Sequence, residues 1–158
     1  MAYDLLIQNA RTRFYKDGLV DIGIEGQKIT RIRQQLGRGP IHHGAAQVID
    51  AEGRLVTESF INGHLHLCKF YTLGMLDDEA MGAYSSGSMG GAMTAIELAA
   101  KVKERYAEGW ILENARKALN LAVKFGNTHI RAFADTDTRA RLEGVKALLK
   151  ARAEMCRC

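Results

Sequence analysis

Phe60-Ile61-Asn62-Gly63-His64-Leu65-His66-Leu67 is the stretch on which the reading of this chain turns. On a strand, side chains two apart share a face, so His64 and His66 converge on one side while Leu65 and Leu67 point to the other. Two imidazoles fixed on one rigid strand make a bidentate site for a divalent metal. Zn²⁺ and Fe²⁺ both accept neutral imidazole, and ligands already held in place lose little entropy on binding. The same spacing also suits two histidines hydrogen-bonded at a strand end, and H-x-H by itself is a modest signal.

The sequence changes pattern close to this stretch. Upstream lie short β-rich runs separated by turn residues: Tyr3 to Asn9, Val20 to Glu25, Lys28 to Arg33, Gln47 to Ile49 and Arg54 to Val56. Val20-Asp21-Ile22-Gly23-Ile24-Glu25 alternates strictly, the period of a strand with one buried face, and Gly26-Gln27 then reads as a hairpin link. Residues 1–57 are therefore expected to form a small antiparallel β-rich domain. Gly37 to Gly44, with the single proline, reads as a loop, and His42 and His43 in it as solvent-exposed.

Downstream, residues 58–158 alternate strands with helices. Thr94-Ala95-Ile96-Glu97 has the form of a capping box, which predicts a helix from Thr94 to about Tyr106. Trp110 to Phe125 carries Ile111, Ala115, Ala118, Leu119 and Ala122 on one stripe, with Gly126 as its stop. Thr128 to Ala134 reads as a strand. Asp137 or Thr138 would then cap a last helix, with Leu142, Val145, Leu148 and Leu149 as its apolar face. The Ser85 to Gly91 stretch reads as a flexible loop. Strand, helices, strand, helix is the start of a βαβα run.

Composition narrows the function classes. The chain has 158 residues, 25% of them charged and 47% apolar, with a net charge of +4. Basic and acidic residues are interspersed and no basic block appears, so a nucleic-acid surface is not expected. No apolar run approaches a spanning helix and the N-terminus lacks a signal-peptide core, so a cytoplasmic protein without membrane contact is expected. The three cysteines, Cys68, Cys156 and Cys158, have no framework spacing and argue against a disulfide scaffold. Walker A, dinucleotide-binding and nucleophile-elbow motifs are absent from the sequence. A full (β/α)₈ barrel takes roughly 250 residues, more than this sequence holds.

The β-rich opening, the segment Val48-Ile49-Asp50-Ala51-Glu52-Gly53-Arg54-Leu55-Val56 and the Phe60 to His66 stretch together resemble the N-terminal portion of the amidohydrolase superfamily. Thr128-His129-Ile130-Arg131 and the Asp135-Thr136-Asp137 end resemble more narrowly its cytosine-deaminase-like branch, which includes triazine-ring amidohydrolases. The resemblance implies an α/β fold: a small N-terminal β-sandwich-like unit followed by the first two β/α units of an incomplete TIM-type barrel. It implies that His64 and His66 are ligands of a divalent metal ion, Zn²⁺ or Fe²⁺. It also implies hydrolysis of a C–N bond in a small cyclic amide or amidine by a metal-activated water. Three positions depart from the family pattern: Glu58-Ser59 replaces Pro-Gly, Cys68-Lys69 stands where an acid is common, and Ala132-Phe133 replaces Thr-His.

Beside the histidines, Cys68, Lys69 and Asp135 are candidates for the substrate side, with Cys68 equally readable as a buried inert thiol. Asp137 suits a helix cap as well as a strand-end functional face. Tyr71 is a weaker candidate, and His129 lies too early on its strand to be a ligand. Two strands of eight cannot close a barrel, so an exposed edge strand and self-association into a homo-oligomer are expected. The alternatives to an enzyme are a non-catalytic assembly protein using that edge and a plain metal-binding module.

Overall fold

The computed structural model describes residues 3–41 and 44–155, which leaves His42, His43, Cys156 and Cys158 outside the described residues. The chain divides into two compact units, Met1–Glu58 and Ser59–Cys158.

The first unit is one sheet of four strands, β1 (Tyr3–Ala10), β2 (Val20–Glu25), β3 (Lys28–Gln34) and β4 (Ala45–Asp50), in the order β3-β2-β1-β4. Gly26 and Gln27 both take positive φ, 53° and 66°, the backbone of the tight turn whose twist suits a β2–β3 hairpin. The expected all-antiparallel arrangement needs correcting, because β4 pairs parallel to β1, with Leu6 opposite Val48. The connection after β3 is long enough to return the chain to the starting end of β1, and that return makes the pairing parallel. Arg54 to Val56 forms no strand of its own and contributes only a bridge from Leu55 to Arg11. Ala10, Val20, Ile22 and Ala51 form the core of this unit.

Alternation in β2 placed Asp21 on the wet face, yet its side chain is fully buried. Arg33 Nη2 donates to its Oδ2 at 2.7 Å, Gln35 Nε2 to Oδ1 at 2.9 Å and the Ile41 amide to Oδ2 at 2.9 Å. The same Arg33 group donates to Gly39 O at 2.6 Å, so one carboxylate pins the loop after β3 across the sheet. Burial pushes the Asp21 carboxyl up, but the bonds from Gln35, Arg33, Ile41 and Asn9 outweigh it and hold the pKa below the usual carboxylate range.

The second unit pairs β5 (Phe60–Leu65) parallel to β6 (Asn127–Ala132). Between them run two short 3₁₀ turns, then α1 (Asp78–Ser85), α2 (Met89–Lys101), a further 3₁₀ turn (Val102–Arg105) and α3 (Glu108–Lys124). After β6 comes α4 (Glu143–Met155). Helix α2 starts five residues before the expected Thr94: Ser88 Oγ accepts the Gly91 amide at 2.9 Å, so the serine of the supposed flexible loop is the cap. Thr94 lies inside the helix, and its hydroxyl donates back to Gly90 O at 3.1 Å. Helix α3 has the expected stripe, with Ile111, Ala115 and Ala118 buried, and ends at Gly126 in the left-handed region (φ 77°).

Helix α4 begins later than expected and packs on another face. Asp137 Oδ1 accepts the amides of Arg139 and Ala140 at 2.9 and 2.7 Å, but this capped turn stops at Arg141, whose φ is +50°. In the helix proper, Gly144, Ala147 and Ala151 are buried, whereas Leu142 and Leu149 are each 58% exposed. Small residues allow close approach: a Cβ added to Gly144 would sit 3.2 Å from Cys68 Cβ. The leucine face instead lines an open apolar groove of about 490 Å³ with Ile130, Ala132 and Val123. Among the described residues, no helix is long and apolar enough to cross a membrane.

Replacing Asp21 with Ala should cost about 1–3 kcal/mol, since it removes the acceptor shared by the partly buried Arg33, Gln35 and the Ile41 amide. The parent should also lose stability as pH falls through and below about 4, because a carboxyl depressed in the native state stabilises only while ionised. Urea unfolding at neutral and acid pH checks both, and an Asp21→Asn variant should show a shallower pH dependence.

Candidate metal centre

The parallel pairing brings the carboxyl ends of β5 and β6 side by side, with Phe133 N donating to Leu65 O at 2.8 Å just beyond the ladder. His64 and His66 therefore stand beside Phe133 and Asp135. The imidazole centroids are 5.1 Å apart with planes tilted by 51°. Two imidazoles on one tetrahedral ion, with nitrogen-to-metal distances of about 2.0–2.1 Å, have centroids roughly 5 Å apart, so the pair fits a shared divalent metal. Among the described residues, no group of three or more His, Cys, Asp and Glu side chains is placed to hold a metal ion.

The two rings are held differently. His64 stacks on Phe133, centroid to centroid 4.3 Å and 20° from parallel, and is exposed on its other side. His66 has its Nδ1 3.1 Å from Asp135 Oδ1. Asp135 Oδ2 in turn lies 3.1 Å from Lys69 Nζ and 3.0 Å from Lys103 Nζ, and Lys103 also reaches Asp137 Oδ2 at 2.7 Å. The Oδ2 contacts are charge pairs more than well-directed hydrogen bonds, since that buried oxygen satisfies no strict hydrogen-bond geometry. Burial pushes the Asp135 carboxyl up, but Lys103 and Lys69 outweigh it and hold the pKa below the usual range. Asp137 is held down at about 2, first by Lys103 and then by the Ala140 amide.

Of the other residues singled out from the sequence, Cys68 is 1% exposed. Its sulfur accepts the Asp135 amide at 3.3 Å and lies 3.8 Å from Phe133 O, so the thiol faces the main chain and not a substrate. Burial raises its pKa and keeps it protonated. Lys69 is half exposed beside the site, and Asp135 is turned inward, its side chain 10% exposed. Tyr71 is exposed, and His129 pairs with Thr128 Oγ1 at 2.9 Å away from the histidine pair. Sequence reasoning missed Lys103 and Tyr106. Lys103 sat in a stretch read as ordinary helix, and only the fold brings it to the end of β6. Tyr106 was read as a helix end, whereas it is buried against Cys68, and burial raises its pKa.

The sequence profile of the amidohydrolase family matches residues 47–153, which span both strands and every residue of this cluster. The chain belongs to the amidohydrolase family. It is 29% identical, over 97% of its length, to N-isopropylammelide isopropyl amidohydrolase from Pseudomonas sp. (strain ADP), and covers 36% of that protein. It is 28% identical over 82% of its length to a dihydroorotase from Streptococcus thermophilus, of which it covers 29%. Among solved structures, 5-methylcytosine deaminase from Klebsiella pneumoniae superposes with a TM-score of 0.71 at 25% identity, over 94% of this chain and 33% of that one. The amidohydrolase chain thus spans about a third of the length of the proteins it matches, and its fold is that of their cytosine-deaminase-like branch, with two parallel strands of an unclosed barrel.

Lys103 is the cation shared by both carboxylates at the end of β6. A Lys103→Met variant should raise the Asp137 pKa from about 2 part of the way to the ordinary ~3.9. The Ala140 and Arg139 amides keep it from rising fully. A carboxyl-carbon NMR titration reads the shift.

Proposed function

We propose that this chain carries the first metal ligands of a hydrolase acting on a C–N bond in a small cyclic amide or amidine, with a Zn²⁺ or Fe²⁺ ion held by His64 and His66. The supporting observation is the histidine pair at the carboxyl end of a parallel strand, with centroids at the spacing of a shared ion. Relatives agree in chemistry class, one being named as an N-isopropylammelide isopropyl amidohydrolase and another as a 5-methylcytosine deaminase. A bound divalent ion supplies a water of lowered pKa, and so a nucleophile at neutral pH.

The chain's own residues do the rest of the work at this corner. The two imidazoles hold the ion from one strand, which fixes its place relative to the sheet. Phe133 fixes the plane of the His64 ring and gives that side of the site an apolar wall. Lys69, beside the pair and half exposed, leaves a positive charge within reach of an electron-rich ring substituent.

Metal analysis after equilibration with Zn²⁺ or Fe²⁺ should find the ion on the parent chain and little on a His64→Ala, His66→Ala double variant. Equal content in both sinks the site. Metal-dependent release of ammonia or amine from cytosine-like or triazine-like rings, absent in the double variant, would show that these two ligands suffice for turnover. Metal uptake without any release would leave a metal-binding module in place of a hydrolase.

One observation favours a second reading, a module that associates through its open side. The groove between α3, β6 and α4 exposes Leu148, Leu149, Val145 and Ile130 beside the unpaired edge of β6. Light scattering should then show a mass that rises with concentration, and a Leu149→Lys variant should reduce it; a monomer at all concentrations would exclude this reading.

A further inference from the structure

The two histidines differ in what holds them, and the difference has chemical content. His64 is fixed by stacking alone, which sets the plane of a ring but not which nitrogen carries the proton. His66 faces a carboxylate oxygen through Nδ1. Ammonium groups stand 3.1 and 3.0 Å from the other oxygen of that carboxylate, which leaves Oδ1 to face the ring and accept from it. Its position is fixed at three points: the two lysines, and the main-chain amide that donates to the buried Cys68 sulfur.

We propose that Asp135, clamped by Lys69 and Lys103, is a positioning residue that holds His66 as its Nδ1–H tautomer and so delivers Nε2, with its lone pair, to the metal. Asp135 serves the ligand and not the substrate. An orienting carboxylate behind a ligating histidine fixes the ring, removes the wrong tautomer from the population and raises the basicity of the free nitrogen. The clamp matters because an unheld aspartate could rotate away; Lys103, anchored also on Asp137, prevents this. His64 has no such partner among the described residues, so the two ligands are unequal, with His66 the more strongly pre-set. The part of this proposal that concerns metal rests on the reading in the preceding subsection; the tautomer does not.

Two measurements separate these parts. In a chain labelled with ¹⁵N-histidine and kept metal-free at about pH 8, above the ordinary histidine pKa, long-range proton–nitrogen spectra report the tautomer of each ring. His66 should be Nδ1–H in the parent, should move towards the free-imidazole mixture in Asp135→Ala, and should turn towards Nε2–H in Asp135→Asn, whose single oxygen faces the lysines and leaves its NH₂ towards the ring. His64 should not respond, which serves as an internal control. Affinity for Zn²⁺, measured by chelator competition, should fall about 10- to 100-fold in Asp135→Ala and should not recover in Asp135→Asn. The parent spectrum needs no variant, so a failure of Asp135→Ala to fold leaves the proposal testable.

An Nε2–H His66 in the parent overturns the proposal, as does a His66 signal in Asp135→Ala unchanged from the parent. Unchanged Zn²⁺ affinity in a folded Asp135→Ala chain overturns its metal part. A parent that takes up no metal, while His66 holds the Nδ1–H form, overturns the function proposed above but supports the positioning role.

Discussion

Parallel pairing of β5 with β6 is the constraint from which the rest of the second unit follows. Parallel neighbours cannot be joined by a tight turn, so the chain must leave the carboxyl end of β5, travel back and re-enter at the amino end of β6. Residues 66–126 are that return path, in which α3 packs on β6 while α1 and α2 pack on each other. Because both strands run the same way, their carboxyl ends coincide. That coincidence alone brings residues almost seventy positions apart, His66 and Asp135, within 3.1 Å. An antiparallel pairing of the same strands would put the histidines and Asp135 at opposite ends.

Much of this was legible in the sequence because the relevant signals are local. The bounds of β2, the Gly26-Gln27 turn, the stripe of α3 and the H-x-H at a strand end each depend on neighbours a few residues away, and the chain shows them where the sequence placed them. Local signals failed where two competed. Thr94 with Glu97 has the form of a capping box, but the helix starts at Ser88, read as part of a loop, where the hydroxyl receives the Gly91 amide. In α4 the leucines looked like the buried face, yet Ala147 and Ala151 pack on α3 and Gly144 on Cys68, since closely approaching elements leave little room for larger side chains. The direction of β4 was not legible at all, because nothing local in Ala45 to Asp50 records whether its neighbour runs with it or against it.

The charged residues behaved least as the pattern suggested. Asp21 occupies a polar slot of an alternating strand, but its opposite face is roofed by a loop that it holds in place itself. Asp135 was read as facing a substrate, and it faces a histidine and two lysines instead. In both cases a carboxylate is turned inward by partners distant in sequence, and no window of residues around it carries that information. Each also shows why buried charge needs several partners at once: one ion pair seldom offsets desolvation, whereas a set of fixed donors can.

Gly144 gives the outer helix a hold on the metal corner. It lies on α4, touches no histidine, and presses its bare Cα towards Cys68, whose sulfur receives the Asp135 amide. The depth at which α4 seats is thereby passed through one thiol to the carboxylate behind His66. Even a single methyl group at position 144 would act as a shim behind Asp135, shifting the histidine corner from a helix that carries none of its side chains.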